Sequence, residues 1–184
     1  MTGEIKTEKL VMTALFICMI IVTTMFFKIP IPFANGYVHL GDAMIFLAVL
    51  ILGVRRGAIA SAVGSALGDV FGGFAIWAPW TFVIKGVMAL IMGFFISALM
   101  KTGAGKKQIH GSFIQIAGMF MAGAWMTLGY FIAEWIIYNW MMAIIGIPWN
   151  IGQFVVGMVI AFATAVSLNK TPAAKYFTYH IEAH

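Results

Sequence analysis

A chain of 184 residues that is 62% hydrophobic and 9% charged, with a mean hydropathy of +1.00, lacks the polar surface that a water-soluble domain of this size needs. Its net charge of +5 does not call for nucleic acid, because anionic lipid headgroups already attract basic flanks of this kind. The single cysteine, Cys18, excludes an intrachain disulfide and a cysteine-rich zinc site.

Six apolar runs follow one another, at residues 10–27, 43–54, 57–78, 82–100, 112–140 and 151–168. Most approach the ~20 residues that cross a bilayer as a helix. The first has the length of a span and no small-residue cleavage site after it, so it reads as part of the mature chain. The second is short; it reaches span length by drawing in residues from His39 to Asp42, or it is shielded by its neighbours. Nine of the eleven Lys and Arg fall in alternate gaps: Lys6 and Lys9 before the first run, Arg55 and Arg56 after the second, Lys101, Lys106 and Lys107 after the fourth, Lys170 and Lys175 after the sixth. Short cytoplasmic loops retain positive charge. The pattern therefore predicts an all-α integral membrane bundle of six transmembrane helices, a single transmembrane domain over 1–184, with the N and C termini cytoplasmic.

Small residues let membrane helices approach closely, and Ala60, Gly64, Gly68 and Gly72 form one such stripe, with Gly157, Ala161 and Ala165 forming another. Packing inside the bundle is the simpler use for both. Charges within spans need a partner or a task. Counted at the helical rise, Asp69 and Lys85 lie at similar depth below the turn at Ala78-Pro79, which predicts an ion pair between them, either a structural clasp or a pair that leaves Lys85 for a ligand. Glu134 shares a helix face with Tyr130 and Tyr138, four residues before and after it. Tyr138 reads equally as a membrane-interface anchor.

The loop Lys28 to Asp42 has prolines that bar helix and an Asn35-Gly36 turn, and it brings His39 and Asp42 to the start of the second run. Asp42 reads first as a negative charge stabilising a helix N-terminus, whereas His39 is more open. The other two outer loops contribute Trp77, Pro79 and Trp80, and then Asn139, Trp149, Asn150 and Gln153. These residues are either an interfacial belt or the walls of a pocket for a flat ring with hydrogen-bonding edges. The stretch Gly103-Ala104-Gly105-Lys106-Lys107 lacks the glycine spacing and the Ser or Thr of a phosphate-binding loop, so uphill transport would draw on an ion gradient or a separate ATPase.

The segments ALFI in the first run, IPIPFANGYVHLGDAMIFLAVLILG, and GAIASAVGSALGDVFGGFAIWAPWTFVIKG resemble the substrate-binding S components of energy-coupling factor (ECF) vitamin transporters, most strongly over residues 29–93. HLGDA together with APWTFVIKG resembles the branch that includes predicted carriers of hydroxymethylpyrimidine. The resemblance implies a multi-pass protein of the bacterial cytoplasmic membrane that binds a vitamin from outside. It further implies delivery inward on docking to a membrane coupling subunit with two ATPase subunits, which use the ATP; the chain itself would need no cofactor. Matched by position, Asn35 and His39 fall in the lid, Trp80 and Lys85 on the fourth span, Trp125, Tyr130 and Glu134 on the fifth, and Asn150 and Gln153 at the start of the sixth. Ala14 falls at the small-residue contact with the coupling subunit, and Cys18 stands where alanine is usual. The metal-binding members carry a histidine near the N-terminus; residues 1–10 have none, so an organic ligand is expected and no metal site.

Glu134 can bond an aminopyrimidine or a protonated ring nitrogen, which favours hydroxymethylpyrimidine or a pyridoxine-like ring, with riboflavin and pantothenate as further candidates. Two other classes are weighed. A solitary proton-coupled carrier would use Asp69 and Glu134 as relays. A membrane enzyme would need a nucleophile and base or a metal cluster; no HExxH pair and no serine with a nearby histidine occurs in the spans, so no catalytic residue is assigned.

Overall fold

The structure is a computed structural model that describes residues 2–30, 37–101 and 108–179. Asn35, Lys106 and Lys107 lie outside the described residues. The elements run α1 (Thr2–Phe26), β1 (Lys28–Pro30), β2 (Tyr37–His39), α2 (Gly41–Phe71), α3 (Ala78–Lys101), α4 (Gln108–Ile137) and α5 (Trp140–Asn169), then a short 3-10 turn (Pro172–Tyr176). Among the described residues, five helices are long and apolar enough to cross a membrane. Beside the helices, the described residues hold one antiparallel pairing, β1 with β2, in which Lys28 faces His39 and Pro30 faces Tyr37. That pairing satisfies backbone groups where the prolines forbid helix.

The apolar runs at 43–54 and 57–78 meet in the single element α2, which departs from helical geometry at Gly53 (φ 78°, ψ −177°). A side chain is strained in that region of backbone space, and glycine is not. A Cβ on Gly57 would lie 2.9 Å from Val49 Cα. Residues eight apart on a straight helix stand ~12 Å apart, so the chain turns back on itself beside Arg55 and Arg56. The turn exposes helix-end carbonyls, and the C-terminal segment meets them: Leu50 O accepts from the N–H groups of Thr178 (3.0 Å) and Tyr179 (3.1 Å), and Ile51 O accepts from Thr178 Oγ1 (2.8 Å). Phe177 and Tyr179 are buried in the core, and the Tyr179 hydroxyl lies 2.5 Å from Ser97 Oγ.

The small-residue stripes are internal. A Cβ on Gly64 would fall 2.9 Å from Ile20 Cβ, and one on Gly68 would fall 2.9 Å from Thr24 Cγ2, so this stripe seats α1 on α2. On α5, a Cβ on Gly157 would fall 2.8 Å from Asp42 Cβ, while Ala161 and Ala165 are fully buried. Without a hydrophobic force between helices in lipid, this close fit holds the bundle.

The last helix begins earlier than the apolar run at 151–168 predicts. Asn139 caps it, its side chain accepting from Met142 N–H at 3.1 Å, and the helix continues through Pro148. Trp149, Asn150 and Gln153 are therefore helical rather than loop residues.

Candidate functional site

Four helix ends converge where the β1–β2 pair lies. The start of α2 supplies Asp42, the start of α3 supplies Thr81 and Lys85, the last turns of α4 supply Met126, Tyr130 and Glu134, and the first half of α5 supplies Gly146, Asn150 and Gln153.

The centre is an ion pair that differs from the expected one. Lys85 Nζ donates to Asp42 Oδ1, with both side chains fully buried, so among the described residues the salt bridge of Lys85 is with Asp42 where the sequence predicts Asp69. Asp69, buried in turn, acts on Lys85 through its negative field. The reason is topological: the reversal at Gly53 returns α2 along itself and leaves its first turn beside α3, a neighbour relation that depth counting cannot reveal. Asp42 Oδ2 accepts from Gln153 Nε2 at 2.9 Å, and Met126 Sδ lies 2.8 Å from Lys85 Nζ. The Gln153 carbonyl then accepts the backbone N–H of His39 at 3.1 Å. One amide thus ties the ion pair on α2 and α3 to α5 and to the strand pair.

His39 is buried, and its Nδ1 accepts from Gly41 N–H at 2.9 Å, which requires that nitrogen to be unprotonated. Burial pushes its pKa down to about 4; the Lys85 ammonium adds to the effect, Asp42 opposes it, and Lys28 contributes a smaller push. Lys28 anchors β1 on the α2–α3 connection by donating to Gly72 O at 3.2 Å.

Above the ion pair stands an aromatic wall. Lys85 Nζ lies 5.3 Å from the Tyr130 ring centre, and the Tyr130 hydroxyl lies 3.2 Å from Thr81 Oγ1. Trp77 packs between Tyr130 (6.0 Å between ring centres) and Tyr138 (5.8 Å). Glu134 stands between these two tyrosines along α4, beside Asn150. A Cβ at Gly146 would collide with Glu134 Oε2, so glycine is what lets the carboxylate sit here.

Among the described residues, three buried atoms in this wall lack a hydrogen-bond partner, Trp77 Nε1, Glu134 Oε2 and Asn150 Nδ2, although the Asn150 side chain faces the Glu134 carboxyl. An indole donor, a carboxylate acceptor and an amide donor left unsatisfied in one neighbourhood are costly for the protein alone. A ligand with complementary edges removes that cost.

Of the residues expected at the site, Lys85, Tyr130, Glu134, Tyr138, Asn150, Gln153 and His39 are brought into this region. Trp80 is half-buried against the core, and Trp125 uses its indole N–H on Ile84 O at 3.2 Å, bracing α4 on α3. Asn35 lies outside the described residues. Ala14 and Cys18 are both exposed on α1. In sequence Asp42 reads first as helix-end electrostatics, and Trp77 is open between the interfacial belt and a pocket wall. Asp42 was findable as a carboxylate entering an apolar run; the orphaned indole of Trp77 is visible only in three dimensions.

Five helices long and apolar enough to cross a membrane, among the described residues, with a buried polar and aromatic cluster at one end of the bundle, describe a multi-pass membrane protein. Residues 4–170 match the family described as the S component of ECF-type riboflavin transporters, and the chain belongs to that family, a transporter component of the membrane. It is 35% identical over 149 residues to an uncharacterized protein in a gap 3' region of Pyrococcus woesei, covering 81% of this chain and 93% of the relative. It is also 27% identical over 173 residues to the thiamine precursor transporter HmpT of Lactococcus lactis subsp. cremoris (strain MG1363), covering 89% of each.

Proposed function

We propose that this chain is the binding subunit for uptake of a small vitamin or vitamin precursor, with hydroxymethylpyrimidine or a pyridoxine-like ring as the preferred ligand. The observation that carries the reading is the trio Trp77 Nε1, Glu134 Oε2 and Asn150 Nδ2, buried beside Tyr130 and Tyr138 and without a hydrogen-bond partner among the described residues. An aminopyrimidine offers an exocyclic N–H to the carboxylate, ring nitrogens to the indole and amide donors, and a flat face to the aromatic rings. Likeness to a thiamine precursor transporter supports the same ligand class, while the family description keeps riboflavin in the comparison.

In this reading the two arms of α2 each cross the bilayer, giving six passes with both termini and the basic loops cytoplasmic, and the strand pair closes over the chamber from outside. Transport is driven by a separate coupling subunit with two ATPases in a bacterial cytoplasmic membrane. Ala14 and Cys18, exposed on α1, supply part of the docking face. The chain needs no cofactor of its own, and no catalytic or metal role is assigned.

Calorimetry of the purified protein with hydroxymethylpyrimidine, pyridoxine, riboflavin and pantothenate tests the binding claim. Tight binding of a pyrimidine or pyridine is expected; absence of heat and of thermal stabilisation with all four refutes it. Uptake in cells lacking the ATPase partners tests the coupling: loss of uptake is expected, and persistence points to a solitary carrier.

A further inference from the structure

At the opposite end of the bundle from the chamber, the structure holds a cleft of about 530 Å³ that the vitamin site does not use. Its walls come from three separated parts of the chain: α1 gives Glu8, Lys9 and Met12, the turn of α2 gives Ile51, Leu52 and Arg56, and the C-terminal segment gives Lys175 through Thr178. Lys9, Arg56 and Lys175 set three positive charges around it against the single carboxylate of Glu8. Among the described residues, no salt bridge neutralises Lys9, Arg56 or Lys175. Lys175 does lie 4.9 Å from the ring centre of Tyr176.

The cleft is amphipathic. Met12, Ile51 and Leu52 form an apolar side next to the cations. It is also built rather than incidental, because the bonds from Thr178 and Tyr179 to Leu50 and from Thr178 to Ile51 fix the C-terminal wall against the α2 turn. Lys9 stands just ahead of the first apolar run, Arg56 between two apolar arms, and Lys175 after the last helix, which sets all three at the level of a membrane surface.

We infer that this cleft is a binding site for the phosphodiester of an anionic phospholipid. Arg56 supplies a planar fork for two phosphate oxygens, Lys9 and Lys175 supply point charges, and the apolar side receives the first carbons of an acyl chain. The net positive lining selects an anionic lipid over a zwitterionic one. A free phosphate shares the headgroup chemistry but gains nothing from Met12, Ile51 and Leu52.

The full chain, purified in detergent and checked for intact fold by its melting curve, is tested by native mass spectrometry with phosphatidylglycerol and with phosphatidylcholine. Near a membrane surface each basic residue strengthens attraction to anionic lipid roughly fivefold, so Arg56→Gln with Lys175→Gln should weaken phosphatidylglycerol retention roughly thirtyfold. Lys101→Gln, which removes a charge at the same end but outside the cleft, should leave retention within about twofold. Arg56→Lys should restore part of what Arg56→Gln loses. Equal retention of the two lipids, or equal losses from the cleft and Lys101 variants, overturns the site in favour of diffuse attraction. Thermal stabilisation by millimolar inorganic phosphate as large as that by phosphatidylglycerol overturns the lipid assignment in favour of a free anion. Lipid retention unchanged by the double variant, together with binding of an acidic peptide that the variant abolishes, overturns it in favour of a protein partner.

Discussion

Substitution Lys85→Met isolates the central ion pair. Both Lys85 and Asp42 are fully buried, and the lysine is the only cation bonded to that carboxylate among the described residues. Removing it leaves Asp42 with the Gln153 amide as its remaining bonded donor, at 2.9 Å. Stranding one member of a buried pair costs about 3–5 kcal/mol. At ~2–4 °C per kcal/mol for a chain of this length, the melting temperature should fall by roughly 6–20 °C. Neutralising both ends with Asp42→Asn and Lys85→Met should recover most of the loss, giving a coupling energy of at least about 2 kcal/mol in a double-mutant cycle read by thermal melting in detergent. The parallel cycle of Lys85 with Asp69→Asn should give less than half that coupling. If the Asp42 and Lys85 effects add to within about 0.5 kcal/mol, the two groups are not paired and the geometry of this buried cluster is wrong.

Three further outcomes follow from the same residues. Glu134→Gln keeps the shape but turns one acceptor oxygen into a donor, so affinity for an aminopyrimidine should drop by about tenfold or more in calorimetry, with Gly146→Ala giving a similar loss because its Cβ displaces the carboxylate. His39 is held neutral with a pKa of about 4 against an ordinary value of 6.5, so its contribution is complete above pH 6.5 and is lost as the pH falls towards 4. That loss amounts to about 3 kcal/mol at most, and His39→Asn should remove this part of the slope in melting curves from pH 4 to 7. Gly53→Ala forces a side chain into φ 78° and should cost about 1–3 kcal/mol, read as a lowered melting temperature without loss of ligand binding.

The helices were legible because lipid imposes a crude rule: long apolar stretches bounded by charge. Run 82–100 and α3 differ by only a few residues, and Pro79 sits in the first turn, where a missing N–H is harmless. Run 151–168 begins later than α5 because Asn139, Trp149 and Asn150 read as an outer loop, whereas the Asn139 cap starts a helix that continues through Pro148. The site was legible in part. Glu134 with Tyr130 and Tyr138 needed only helical spacing, which the sequence displays. The partner of Lys85 needed knowledge of which helices touch, and that depends on a reversal governed by one glycine. Trp77 and Asn150 differ from ordinary interfacial residues in having buried polar atoms that lack a hydrogen-bond partner among the described residues.

The C-terminal clasp also has a consequence for how the molecule is made. Leu50 and Ile51 emerge well before the groups that quench their carbonyls, since Thr178 follows Ile51 by 127 residues. Bare carbonyls are poorly tolerated in a lipid environment. The basic end of the bundle therefore stays unfinished until α5 and the segment after it have been made, and a chain cut short after α5 inserts with the turn of α2 unsealed, which gives quality-control proteases a ready way to recognise it.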